Sequence, residues 1–402
     1  MTQAATRGAA RLPEIDALRG IAALLVLVHH AAQLVPRIEH PDIPGIGHIR
    51  YVLMHLTPLR IVEFGRGAVL FFFVLSGYVL TRALLQSGSP GLRAFAAQRT
   101  VRLGLPVLAS VLLSVLLYWL FADPDLPESW RDNSLFTWLV PPSVGDVLSN
   151  ALLLADNDDM RLNVVLWSLV HEWRLTLLLP LVLLFRGRAA LFAALAIGVS
   201  WVGIIGGASE NTILLGREPH STLAATFYFA TGIGTGVALA LWLGPDMPAL
   251  RRELRLAAVI ACVALFGMAS DLAAYAGSAL LIVLARQPWA FREVLRSAPL
   301  LWLGGISFSL YLVHAPVLVA GLHLLHDQWP PIAVAAAGAA AALLVAVLFF
   351  HLVEEPSRRL ARRIERRLAR PGWRPATAER RRPRAPPVRD WAPEGGMAAT
   401  PR

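Results

Sequence analysis

The chain has 402 residues, of which 56% are hydrophobic and only 16% charged, and its mean hydropathy is +0.56. A soluble domain carries about 25% charged residues, so this composition excludes an ordinary soluble fold and points to long segments lying in lipid. The net charge of +10 resides after Pro356, where fourteen arginines face Glu365, Glu379, Asp390 and Glu394; the rest of the chain is balanced. Such a basic tail is read as a cytoplasmic segment against anionic membrane lipid, in preference to one that binds nucleic acid. The single cysteine, Cys262, stands in an apolar run and cannot form an intrachain disulfide.

A spanning helix needs about 20 apolar residues. Ten stretches are candidates: 15–36, 64–86, 100–122, 164–186, 189–207, 222–243, 255–270, 272–287, 299–323 and 331–354. The first carries Asp16, Arg19, His29 and His30. Arg19 and His30 are eleven positions apart, a rotation of about 1100°, so both lie on one helix face roughly 16 Å apart. His29 is turned about 100° from that face. An arginine near the inner interface with a histidine deeper on the same stripe suits an active-site wall, and histidine is the natural general base for a hydroxyl. The alternative is a positive-inside anchor and a satisfied core histidine.

The second segment contains Ser76-Gly77, suited to close helix packing. At the inner start of the third, Arg99 and Arg102 share a face and could hold the phosphates of a coenzyme A donor. The same pair is also an ordinary positive-inside cluster. The fourth segment holds Trp167, Ser168, His171, Glu172 and Arg174; Glu172 and Arg174 cannot pair within one helix, so each needs a partner elsewhere. The seventh and eighth segments are short and separated only near Asp271, which leaves a re-entrant path open for one of them. In the ninth, Gly304-Gly305 permits close packing, while Ser307, Tyr311 and His314 fall on one face and Ser309 adds a further hydroxyl. Beyond the tenth, residues 357–370 read as a basic amphipathic helix with Leu360, Ile364 and Leu368 on its apolar side, and disorder is expected from Pro371 onward.

Arginine counts orient the chain. With the N-terminus inside, fifteen inner-loop arginines stand against seven outer ones, and the tail adds fourteen more. The expected fold is therefore an all-α integral membrane protein of about ten transmembrane helices with both termini cytoplasmic. Residues 1–12 form a cytoplasmic segment, 13–356 the transmembrane domain and 357–402 a basic, largely disordered tail. No cleavage site follows the first segment. The outer loop 123–163 is acidic, but its carboxylates lack the spacing of a metal loop, so no metal is expected.

Five motifs stand in order along this frame: Ile15 to Ala22 with His30 following, Phe72 to Tyr78, Arg99-Thr100-Val101-Arg102 with Pro106, Leu166 to Glu172, and Leu303 to His314, after which Glu354 to Pro356 closes the last segment. The chain thereby resembles the acyltransferase-3 family of integral membrane acyltransferases over about residues 13–358. That resemblance implies transfer of an acetyl or other short acyl group from acyl-CoA to hydroxyls. The implied acceptors are exported polysaccharides, lipid-linked sugars, peptidoglycan or macrolide-type metabolites. It implies a multi-pass protein of the bacterial inner membrane that uses acyl-CoA as a substrate and no tightly bound cofactor. The family's essential arginine and histidine fall on Arg19 and His30, and its paired arginines on Arg99 and Arg102. Asp16, Ser76, Trp167, Glu172, Ser309, Tyr311 and His314 complete a polar network of substrate contacts or structural bonds. Where many members carry a polar residue before the Phe-rich run of the second segment, this chain has Leu70. A transporter or flippase of sugars or lipids is the competing reading, since ten helices with intramembrane charges suit it too, although no internal repeat is visible.

Overall fold

The computed structural model describes residues 12–34, 65–127, 130, 138, 140–154, 162–210, 219–244, 247–268 and 270–373. Most of the tail and part of the acidic outer loop, including Asp132, Asp156, Asp158 and Asp159, lie outside them. Among the described residues the chain is helical throughout, with no strand. Its α-helices are α1 (Pro13–Leu34), α2 (Gly65–Ser87), α3 (Leu92–Phe121), α4 (Val144–Ala151), α5 (Leu166–Leu177), α6 (Ala189–Ile205), α7 (Pro219–Tyr228) and α8 (Ala230–Trp242). There follow α9 (Arg252–Gly267), α10 (Asp271–Arg286), α11 (Ala290–Leu295), α12 (Ala298–Leu325), α13 (Pro331–Phe349) and α14 (Glu355–Leu368).

Among the described residues each of the ten expected stretches is mainly helical. Six helical segments are long and apolar enough to cross a membrane, or seven if the bent pair α5 plus Leu179–Phe185 is one span. That pair bends by 45°. Pro180 lies at the bend, where it removes a backbone donor and disfavours helical geometry in the residue before it. Helices α9 and α10 have 16 residues each, about 24 Å of helix, which is short of the usual span. They fold back on each other, with Cys262 Sγ set 3.5 Å from the Gly277 carbonyl. Helix α3 begins eight residues before the expected start, because its first turns are polar and lie beyond the apolar stretch that marks the span.

Helix α12 is the axis of the bundle. It is buried along most of its length and packs on α1 and α13. Glycines set the closest crossings: a Cβ on Gly20 would stand 2.5 Å from the Gly304 nitrogen, and one on Gly304 would collide with the Asp16 carbonyl, so α1 and α12 touch backbone to backbone. Gly305 faces open space and takes no part in that crossing. Gly77 and Gly236 do the same for α2 and α8. By contrast α6 leaves Leu191, Leu195, Trp201, Val202 and Ile205 exposed, as expected of a helix whose solvent is hydrocarbon.

A π-helical turn, Phe350–Glu354, joins α13 to α14 without a break. The expected basic amphipathic helix is present, but a different face packs. Ser357 and Ala361 are buried where α14 lies along α3, whereas Leu360 and Leu368 are exposed.

Candidate active site

The α1–α12 crossing places the charged stripe of α1 against the polar stripe of α12. Arg19 donates from Nε to Ser307 Oγ (2.8 Å) and from Nη2 to the Gly304 carbonyl (2.8 Å), and pairs with Asp16 one turn earlier (3.2 Å). Only because Gly20 and Gly304 lack side chains can the guanidinium reach a backbone carbonyl of the neighbouring helix.

Arg19 borders a cavity of about 140 Å³ enclosed by α1, α2, α3, α5, α12 and the start of α14. Its charged lining is Asp16, Arg19, Arg99, Arg102, Glu172, Glu354 and Arg358. Arg99 is buried and donates from Nη2 to Glu172 Oε1 (3.1 Å) and Thr176 Oγ1 (3.0 Å), while Ser76 donates to the same carboxylate oxygen (2.8 Å). Glu172 thus finds its partners on α2 and α3, and Arg174 turns to Thr222 and Thr226 of α7. The expected arginine pair therefore divides: Arg99 is committed to an ion pair, and Arg102 has no carboxylate at ion-pair distance among the described residues.

Farther along α12, Tyr311 shares a hydrogen bond with Ser168 (2.7 Å) and donates to the Val165 carbonyl (3.1 Å). Next comes His314, which is fully buried. Its Nδ1 lies 2.9 Å from the Leu310 carbonyl and its Nε2 lies 2.8 Å from His30 Nδ1. A carbonyl can only accept, so His314 Nδ1 carries the proton and, with both rings neutral, His314 Nε2 accepts from His30 Nδ1. That tautomer leaves the lone pair of His30 on Nε2, the arrangement a general base needs. The histidine doublet separates cleanly. His29 lies beside Gly65 of α2, whose missing Cβ makes room for the ring, and Gln33 stands 3.1 Å from its Nε2.

Not every expected residue faces the cavity. Ser309 is not on the cavity wall; its hydroxyl donates to Glu354 Oε2 (2.5 Å) and its backbone nitrogen reaches the same oxygen (3.1 Å), so it holds a residue of the wall from behind. Trp167 belongs to an aromatic cluster with Phe73, His171 and Phe229. His30 itself is not on the cavity wall; it stands about 16 Å along α1 from Arg19. Sequence reasoning missed two features. Arg358 sits beyond the last apolar run, where an arginine reads as tail. The network of Arg66, Asp271 and Tyr228 joins α2, α10 and α7, with both Arg66–Asp271 bonds formed (2.8 and 2.5 Å) and Tyr228 donating to Asp271 (2.9 Å); its members are far apart in sequence and carry no shared motif.

Comparison with known proteins identifies the family. Residues 12–351 match the family model described as an acyltransferase domain. The chain is 24% identical over 318 residues to the peptidoglycan O-acetyltransferase OatA of Listeria monocytogenes, a match covering 72% of this chain and 50% of that protein. The chain thus spans about half the length of that relative. It is 29% identical over 388 residues to the acyltransferase MdmB of Streptomyces mycarofaciens, covering 87% of this chain and 92% of the relative. No solved structure gives a significant match. With the family model covering well over half of the sequence, the chain belongs to the acyltransferase-3 family.

Proposed function

We propose that this protein is a multi-pass enzyme of the bacterial inner membrane that transfers an acetyl or other short acyl group from acyl-CoA to a hydroxyl of a glycan or glycolipid. The relatives' names support transfer of this kind, one of them onto peptidoglycan. In this reading ten helices cross or enter the bilayer with both chain ends cytoplasmic. The donor's charged end then sits in the cavity beside Arg19, Arg99 and Arg102, on the side of the chain termini.

The observation that carries the proposal is the hydrogen-bond chain from Leu310 through His314 to His30, which fixes the tautomer of His30. The acceptor oxygen attacks the thioester carbonyl as its proton passes to His30 Nε2. Collapse of the tetrahedral intermediate breaks the C–S bond, and the leaving thiolate takes the proton back from the imidazolium. A base placed this way contributes roughly 100- to 10,000-fold to the rate.

The test is a purified His30→Ala variant, assayed for coenzyme A release from acetyl-CoA with a cell-envelope glycan extract as acceptor. A loss within that range at unchanged melting temperature is expected, and full activity of a folded variant refutes the assignment. Coenzyme A release by the wild type also separates this reading from a transporter, which would produce none.

A further inference from the structure

The charges around the cavity do not cancel. Three carboxylates face four arginines, and each carboxylate is matched: Asp16 with Arg19 (3.2 Å), Glu172 with Arg99 (3.1 Å) and Glu354 with Arg358 (3.5 Å). Arg102 supplies the surplus positive charge of the cavity wall: among the described residues it has no carboxylate at ion-pair distance, and Glu365 of α14 acts on it only from outside the cavity lining. Arg358 stands on the same wall, about a quarter exposed, and only Glu354, at the long distance of 3.5 Å, is its ion-pair partner there. A cavity with excess guanidinium is suited to a phosphate or pyrophosphate, which two arginines can grip with paired N–H donors.

The C-terminal helix is built into this site. Glu354 ends the π-helical turn and is locked to Ser309 of α12 by two hydrogen bonds, which fixes where Arg358 emerges one turn later. At the other end of α14, the Arg370 nitrogen donates to the Pro90 carbonyl (3.0 Å) and Trp373 Nε1 to the Gly88 carbonyl (3.3 Å). The chain after the last apolar run is thus tied to the loop that starts α3, and the helices bearing Arg102 and Arg358 are held side by side. π-turns within helices are frequently found at functional sites.

We infer that Arg102 of α3 and Arg358 of α14 together form the phosphate-binding site for the donor, so that the C-terminal helix is a substrate-recognition element and not a membrane anchor alone. This rests on the proposed use of acyl-CoA but adds a ligand that the family motifs do not contain. The pyrophosphate end is held between α3 and α14, and the acyl arm runs along the α12 stripe toward His30.

The experiment measures binding of coenzyme A, pantetheine and inorganic pyrophosphate to the purified full chain and to Arg102→Gln, Arg358→Gln and Arg358→Lys. Because Arg358→Gln deprives buried Glu354 of its partner, the paired variant Glu354→Gln/Arg358→Gln serves as a folded control judged by thermal melting. Coenzyme A binding is expected to weaken roughly ten- to hundred-fold in Arg102→Gln, Arg358→Gln and the paired variant. Arg358→Lys should recover part of the loss, and pantetheine, which lacks the phosphates, should bind every variant equally. Unchanged coenzyme A affinity in a folded Arg358 variant overturns the inference while leaving the donor assignment standing. Pyrophosphate binding that depends on Arg358, with no coenzyme A binding, keeps the anion site and removes the donor assignment. Displacement of coenzyme A by phosphatidylglycerol in the micelles, through the same arginines, overturns the donor part in favour of a lipid headgroup, and failure of the wild type to bind any anion overturns both.

Discussion

Replacing His314 with phenylalanine keeps most of the ring volume in a fully buried position and removes the Nε2 that accepts from His30 Nδ1. The effect can be sized from that bond. A buried donor left without its partner costs about 1–3 kcal/mol. If that stabilisation is what keeps the His30 lone pair on Nε2, the loss translates into roughly ten- to hundred-fold in kcat, since each 1.36 kcal/mol is tenfold in rate. Glutamine at the same position offers a carbonyl oxygen to the same N–H, so His314→Gln should recover most of the rate. The donor KM should not move in either variant, because the arginines of the cavity lie roughly 16 Å along the helices from the ring pair. The assay is coenzyme A release at saturating and limiting acetyl-CoA, with melting temperatures for each variant. Wild-type kcat in His314→Phe, or glutamine as damaging as phenylalanine in equally stable proteins, would refute the relay.

Three further outcomes are expected. Glu172→Gln leaves the buried Arg99 guanidinium uncompensated and should cost about 3–5 kcal/mol of stability, seen as a lowered melting temperature, with much of it restored in Arg99→Gln/Glu172→Gln. Gly304→Val drives a side chain into the Asp16 carbonyl and should separate α1 from α12, lowering both stability and activity. Gly305→Ala, which meets open space, should be silent or add up to about 1 kcal/mol of helix propensity, a contrast that melting curves will show. Acetyl phosphate should fail as a donor even where it competes with coenzyme A, because its acyl carbon lies directly on the phosphate and cannot bridge roughly 16 Å to His30; turnover with it would contradict the separation of the two ends.

Much of this architecture is legible in the sequence because lipid simplifies the rules. Long uncharged runs must be helices, since every backbone polar group has to be satisfied within its own segment. The exceptional residues announce themselves by their cost, so Arg19, Glu172 and His314 were recognisable before any contact was known. Helical spacing put Ser307, Tyr311 and His314 on one face, and the structure gives each a partner on another helix: Arg19, Ser168 and His30. What spacing could not supply was the pairing itself. Nothing in the sequence distinguishes Arg99 from Arg102, because the difference is that Thr176 and Glu172 happen to lie across from the first. Nor does hydropathy find Arg358: a π-turn changes the phase of the helix after Phe349, and phase decides whether an arginine beyond the membrane faces water or a cavity. Ser309, two positions from Ser307, looks equivalent by type yet bonds Glu354 of the π-turn where Ser307 bonds Arg19.

The distribution of pairs also says which charges are held for structure. A charge in the middle of a spanning helix costs about 2.5–3.5 kcal/mol by insertion scales, and a buried pair seldom stabilises more than apolar residues of similar volume would. Arg19 and Arg99 are each offset by a carboxylate within 3.2 Å, so packing and pairing account for their tolerance. Arg102 has no such offset on the cavity wall. A leucine there would be cheaper for the fold, and what a leucine lacks is the capacity to bind an anion. On the same reasoning Glu354 matters less as a charge than as a latch: spent on two hydrogen bonds to Ser309, it sets the azimuth of α14 and thereby the direction of Arg358. Stability and recognition are then separable by mutation, since removing Arg102 should release the donor while sparing the bundle, and removing Glu172 should loosen the bundle first.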